Sequence, residues 1–125
     1  MSKFLEGTEI DKIRKFISDN YNNPDMSLDM VARHFIVSPE TIMSRFKASG
    51  TTFHKYVVEL RMIVARQLLV DNTTFTTAYR VGEQVGYNDY NTFCKTFVKD
   101  TGMTPTQYRN SVLNIRGRYE RHESE

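Results

Sequence analysis

Asn91 and Lys95, four residues apart, are the side chains in this sequence best suited to meeting a base edge. An asparagine can pair with adenine N6 and N7 together, and a lysine one helical turn on can donate to guanine O6 or N7. Both need a helix that turns them outward side by side. Phe93 and Phe97 meet the opposite need, because two aromatic residues one turn apart pin a helix face inward. Tyr90 shares the outer side, where its ring can stack on a sugar or its hydroxyl touch a phosphate. Ahead of them, Gly86 supplies the positive φ of a tight turn, and Asn88 carries an oxygen suited to capping the helix start. The run Ala78 to Gln84 reads as a short helix before that turn, so the unit is a helix-turn-helix.

The remaining segments read as helix nearly throughout, and no period-two strand pattern occurs. Thr8 and Asp11 make a capping-box-like start, followed by Ile10, Ile13, Ile17 and Tyr21 at helical spacing. Asn22-Asn23-Pro24 stops that helix. Ser27 caps a second one, with Leu28, Val31, Ala32 and Phe35 inward. Ser38 starts a third, with Pro39 at its first position, Ile42 and Phe46 inward and Gly50 closing it. A long fourth helix, roughly residues 53–70, places Tyr56, Val57, Leu60, Val64, Leu68 and Leu69 on one broad face. After a surface break at Asp71-Asn72-Thr73-Thr74 comes the opening unit; Gly102 ends it and Pro105 begins a last helix through Tyr108.

These elements repeat. Val31-Ala32, Ser38, Ile42, Phe46, Gly50 and Tyr56 are echoed by Val81-Gly82, Asn88, Phe93, Phe97, Gly102 and Tyr108. The offset is 50 at the valines and 51 at Phe46 and Phe97, which puts one extra residue between Asn88 and Phe93. Gly82 stands where Ala32 does, as the small residue that close helix packing requires. The expected fold is all-α: seven helices, two helix-turn-helix subdomains and a long linker helix. The expected division is 1–50 for the first helix and first unit, 51–71 for the linker, 72–115 for the second unit and closing helix, and 116–125 for a flexible tail. A linker of about 18 residues spans roughly 27 Å. With the flanking helices, the two third-helix equivalents would stand about 34 Å apart, one turn of B-DNA.

Composition sets outer bounds. Seventeen Lys+Arg against fifteen Asp+Glu leave a net charge of +2, so any basic footprint must be local. A single cysteine rules out an internal disulfide framework and fits a reducing compartment. No apolar run approaches bilayer length, and the N-terminus does not read as a signal peptide. The expectation is a cytoplasmic protein without a membrane partner.

The chain resembles the DNA-binding domain of the AraC/XylS family of bacterial transcription regulators. The likeness rests on Leu28-x-x-Val31-Ala32, Ser38-x-x-x-Ile42-x-x-x-Phe46-Lys47, Arg61-x-x-x-Ala65-x-x-Leu68-Leu69, Val85-Gly86-Tyr87-Asn88-Asp89, Phe93-x-x-x-Phe97 and Gly102-Met103-Thr104-Pro105-x-x-Tyr108-Arg109. It covers about residues 10–110. The resemblance implies seven helices, two helix-turn-helix subdomains and a rigid linker, with the positions of Asn91 and Lys95 facing the groove. It also implies double-stranded DNA as partner, transcription activation rather than repression, and contact with RNA polymerase. Arg61, among apolar residues of the linker, has a structural counterpart in the family and reads as an internal brace.

The first unit departs from the family pattern. Ile36 stands where the turn usually has Gly, and a β-branched residue in a left-handed conformation costs roughly 1–2 kcal/mol, so the turn is either strained or differently shaped. Ser44 stands where an Arg is frequent, and Arg45 follows one position later, rotated about 100° around the helix. Glu40 can accept from cytosine N4 but repels phosphate. Candidate readers in the first unit are therefore Glu40, Thr41, Ser44 and Arg45; in the second, Tyr90, Asn91 and Lys95. Lys47, Lys99 and Arg109, near the ends of these helices, are candidate phosphate contacts.

Other chemistry does not assemble. His34, His54, His122 and Cys94 have no metal-ligand spacing, no Gly-rich phosphate loop or nucleophile elbow occurs, and the Met and Phe residues at helical spacing read as core. No cofactor, metal or enzymatic activity is expected. The alternative function is a helix-turn-helix adaptor that grips another protein with little or no DNA affinity. The chain is either a short stand-alone monomeric regulator or the output domain of a longer one with a sensor domain, and the sequence leaves both open.

Overall fold

The computed structural model describes the backbone of residues 2–71, 73 and 76–123 and the side chains of residues 9–71, 73 and 76–114. Among these residues there are seven helices and no strand: α1 (Ser2–Asn20), α2 (Leu28–Phe35), α3 (Pro39–Ala48), α4 (Phe53–Leu69), α5 (Ala78–Gln84), α6 (Tyr90–Thr101) and α7 (Pro105–Glu123). Two compact units emerge, Met1–Arg61 and Met62–Glu125. The division falls inside α4, so the expected linker contributes its first half to one unit and its second half to the other. Thr8 lies within α1 rather than at its cap. A lone Gly7 costs only about 1 kcal/mol in a helix interior and does not stop the helix from reaching back to Ser2. The expected tail falls within α7 as far as Glu123; residues 124 and 125, and the side chains from 115 on, lie outside the described residues.

In the first unit, the Ser27 hydroxyl accepts from the Met30 N–H (3.1 Å) and opens α2. The Ser38 hydroxyl accepts from the Thr41 N–H (3.2 Å) and opens α3, with Pro39 where a missing N–H leaves no bond unmade. The buried faces of four helices then meet: Ile13 and Ile17 of α1, Val31 and Ala32 of α2, Ile42 and Phe46 of α3, and Val57 of α4. Each large side chain among them contributes about 1.5–3 kcal/mol of transfer free energy. Phe46 is the hub, its ring 5.4 Å from that of Tyr56.

The second unit repeats the plan with different residues. Thr77 caps α5 through the Arg80 N–H (3.2 Å), and Thr104 caps α7 through the Gln107 N–H (3.1 Å). Leu69, Val81, Val85, Phe93, Phe97 and Pro105 are buried. The Phe97 ring lies 5.8 Å from Phe93 and 5.4 Å from Tyr108. Gly82 is where α5 meets α6: a Cβ there would come within 2.9 Å of the Phe93 ring. The expectation that a small residue lets these helices approach therefore has its physical cause in Phe93.

An arginine locks each unit in the same manner. Arg61 donates through Nε to the Tyr21 carbonyl (2.8 Å) and through a terminal nitrogen to the Asn23 carbonyl (3.0 Å), just past the end of α1. Arg109 donates through Nε to the Leu69 carbonyl (2.7 Å) and through a terminal nitrogen to the Thr76 carbonyl, at and past the end of α4. Both side chains are buried. Backbone carbonyls at and beyond a helix C-terminus lack a partner within the helix, and a planar guanidinium can donate to two of them at once. Arg61 is thus a brace inside the first unit. Arg109, expected to contact phosphate, is corrected to the same role: its guanidinium is buried and directed to backbone carbonyls.

Candidate nucleic-acid interface

The turns that aim α3 and α6 share one hydrogen-bond pattern. In the first, the Ile36 N–H donates to the Arg33 carbonyl (3.2 Å) and the Val37 N–H to the Ala32 carbonyl (3.0 Å). In the second, Gly86 donates to Glu83 (3.1 Å) and Tyr87 to Gly82 (3.0 Å). The offset of 50 therefore holds through the turn. It becomes 51 at the cap, because the residue that caps α6 is Asp89 and not Asn88. The Asp89 carboxylate accepts from the Asn91 N–H (3.0 Å) and from the Thr92 hydroxyl (3.0 Å). Asn88 is itself the extra residue, inserted in the turn, and from cap to first buried phenylalanine α6 keeps the spacing of α3.

Gly86 has φ 106° and Ile36 has φ 56°, ψ 48°. The first turn thus has the ordinary shape, held with a β-branched residue in the left-handed region. Of the two options left by the sequence, strain is the one adopted. The Ile36 side chain is 91% exposed and gains no packing in return.

On α6, Phe93 and Phe97 are fully buried, and the residues opposite them, Asn91 and Lys95, are exposed and 40° apart at 100° per residue. Thr92 and Lys99 are exposed on the same helix. The ridge thus carries an amide and an ammonium with no bulky neighbour between them. Tyr90 does not belong to it. The residue is half-buried, its ring packed between Tyr79 (5.6 Å) and Phe93 (6.1 Å). Burial is the main cause that pushes its hydroxyl above the ordinary tyrosine range, with the neighbouring Cys94 adding to the shift and Thr106 opposing it. The ring of Tyr90 is therefore packing surface at the start of α6 rather than part of the ridge, unlike the outward placement expected from its spacing.

On α3 the same geometry carries poorer chemistry. Ile42 and Phe46 are buried, and Glu40 and Ser44 occupy the positions that Asn91 and Lys95 hold on α6. Thr41 is half-buried, its hydroxyl 2.9 Å from that of Ser38. Arg45 leans toward α1, where a terminal nitrogen meets the Glu9 carboxylate at 3.1 Å. Its charge is thus partly answered within the protein. Met43 is 55% exposed and lines an apolar groove with Glu40, Ser44, Lys47 and Phe53. Lys47 and Lys99 are exposed near the ends of α3 and α6.

Comparison with known proteins fits this geometry. Residues 31–111 match a family described as a helix-turn-helix domain. Over 97 residues the chain is 30% identical to the transcriptional activator RhrA of Rhizobium meliloti, covering 78% of this chain and 31% of that protein. The chain spans between 31% and 55% of the length of RhrA and two further curated relatives. The C-terminal domain of the two-component response regulator yesN from Fusobacterium nucleatum superposes with a TM-score of 0.77 at 31% identity, over 82% of this chain and 98% of that one. The DNA-binding domain of AdpA, solved with a target DNA, superposes at 0.76 over 85% and 94% of the two chains; its 18% identity bears on the fold alone. With the match over residues 31–111 and a fold shared with solved domains of AraC type, the chain belongs to the AraC family of helix-turn-helix domains.

Proposed function

We propose that this chain binds double-stranded DNA with sequence preference, using α3 and α6 as reading helices, as the DNA-binding part of a bacterial transcription activator. The observation that carries this reading is the α6 ridge. Asn91 and Lys95 stand exposed directly opposite the fully buried Phe93 and Phe97, on a helix fixed by the Asp89 cap and the Gly86 turn. An amide and an ammonium one turn apart match the acceptor and donor pattern of adjacent base pairs in a major groove. The second unit supplies most of the base discrimination. The first, with Glu40 and Ser44 on its ridge, binds more weakly and accepts more sequences. The two helices enter adjacent major grooves of one duplex face, giving protected half-sites centred about 10 base pairs apart.

In this reading the chain performs no covalent chemistry, acts in the cytoplasm and meets RNA polymerase through a surface outside the two ridges. Among the described residues, no helix is long and apolar enough to cross a membrane. The names of activators among the relatives support the regulatory role. A sensor domain on the same polypeptide, or its absence, is compatible with both ridges.

The test is the salt dependence of duplex binding. About six phosphate contacts would reduce affinity by about a thousandfold between 50 and 200 mM salt. A flat response, with tight binding to a protein partner, would instead identify an adaptor.

A further inference from the structure

Tyr79 is the feature of the second unit that the ridge does not use. Its ring is 57% exposed at the second position of α5, and its hydroxyl makes no hydrogen bond to a described residue. An exposed tyrosine usually swings freely; this one is seated. Its ring packs 5.6 Å from that of Tyr90, the first residue of α6, and Tyr90 is in turn held against Phe93. The Tyr79 phenol is thus fixed beside the N-terminal end of the reading helix, one residue from Asn91.

Position on the fold indicates what the hydroxyl meets. In a helix-turn-helix the second helix lies in the major groove with its N-terminal residues at the base edges, while the first crosses the sugar-phosphate backbone. Tyr79 is on the first helix, at the end packed against the start of the second. A neutral hydroxyl there can donate to a phosphate oxygen, a sequence-blind contact that sets register rather than reading bases. The repeat offers an internal contrast. Fifty positions earlier stands Asp29, an exposed acid that would repel a phosphate at the same place.

We infer that Tyr79 is a backbone-anchoring residue of the second unit, donating its hydroxyl to a phosphate that flanks the bases met by Asn91 and Lys95. The inference rests on the DNA-binding reading above. It gives the second unit an anchor that the first lacks, and it places that anchor on Tyr79, whose exposed ring is braced by the half-buried Tyr90.

The test compares the full chain with Tyr79→Phe, which removes the hydroxyl and keeps the ring packing. Binding is measured on the tightest duplex selected from a randomised pool and on its single-base variants, at several salt concentrations. A hydrogen bond to a charged oxygen corresponds to about tenfold in affinity. The expected result is about a tenfold loss that is equal on every sequence. The slope of log affinity against log salt should not change, because a neutral donor releases no counterion. The melting temperature should also hold. Unchanged affinity would overturn the inference, and so would a loss confined to particular base pairs. If the unaltered chain binds no duplex, the DNA-binding reading itself fails; if it binds and Tyr79→Phe binds equally well, only the anchor fails.

Discussion

The two halves of this protein use one plan with unequal means. Each caps its first short helix with Ser or Thr, turns on a left-handed residue and buries two residues of its reading helix. Each also closes with a buried arginine on helix-end carbonyls. The scaffolds match almost bond for bond, while the surfaces they present do not. The second turn uses Gly86 where the first strains Ile36; the second ridge carries Asn91 and Lys95 where the first carries Glu40 and Ser44. Residues that hold the fold are thus duplicated, and residues that would meet a partner have diverged. In the proposed reading, one chain built this way is suited to an asymmetric site.

The largest effects should come from breaking what the halves share. Arg109→Ala takes the donor from the Leu69 carbonyl at the end of α4 and from the Thr76 carbonyl ahead of α5, and should cost about 3 kcal/mol, as should Arg61→Ala in the first unit. Thermal or urea unfolding measures both. If Arg109→Ala keeps its stability and loses only DNA affinity, the parallel between the two arginines is broken. Gly82→Val drives a side chain into the Phe93 ring and should cost about 2 kcal/mol. Ala32→Gly, at the matching place, should cost about 1–2 kcal/mol, from helix propensity and the loss of a buried methyl.

Smaller effects sharpen the difference. Ile36→Gly relieves the left-handed strain and should stabilise the first unit by about 1 kcal/mol, whereas Gly86→Ala should destabilise the second by a similar amount. Equal signs at the two turns would show that Ile36 is not strained. Smallest is Glu40→Gln, which removes one like charge near phosphate and should raise duplex affinity about threefold at low salt, fading as salt screens it.

How much of this was legible depended on how local each cause was. Helix positions away from the two chain ends, the left-handed turn and the Phe93–Phe97 face follow from neighbours within a few residues, so their spacing sufficed. The α6 cap was misplaced by one residue because Asn88 and Asp89 both cap well. Only the turn bond from Tyr87 to Gly82 shows that the extra residue precedes the cap. Arg109 lies next to Tyr108 in a terminal motif and looked like a surface charge; its partners, Leu69 and Thr76, are 40 and 33 residues away. The tie of Arg45 to Glu9 spans 36 residues and left no trace in the spacing. Tyr90 was placed outward by its angle on the helix, and its packing against Tyr79 of another helix decided otherwise. The ridge of Asn91 and Lys95 was readable because it is defined by what is buried behind it.

The most direct test takes Lys95→Ala and the unaltered chain through binding to every single-base variant of a selected duplex at fixed salt. The predicted result is a loss of about 1–3 kcal/mol of discrimination at one or two adjacent base pairs in the second half-site, with preference elsewhere intact. A weakening that is uniform over all variants would contradict base reading by the α6 ridge and reduce Lys95 to a phosphate contact.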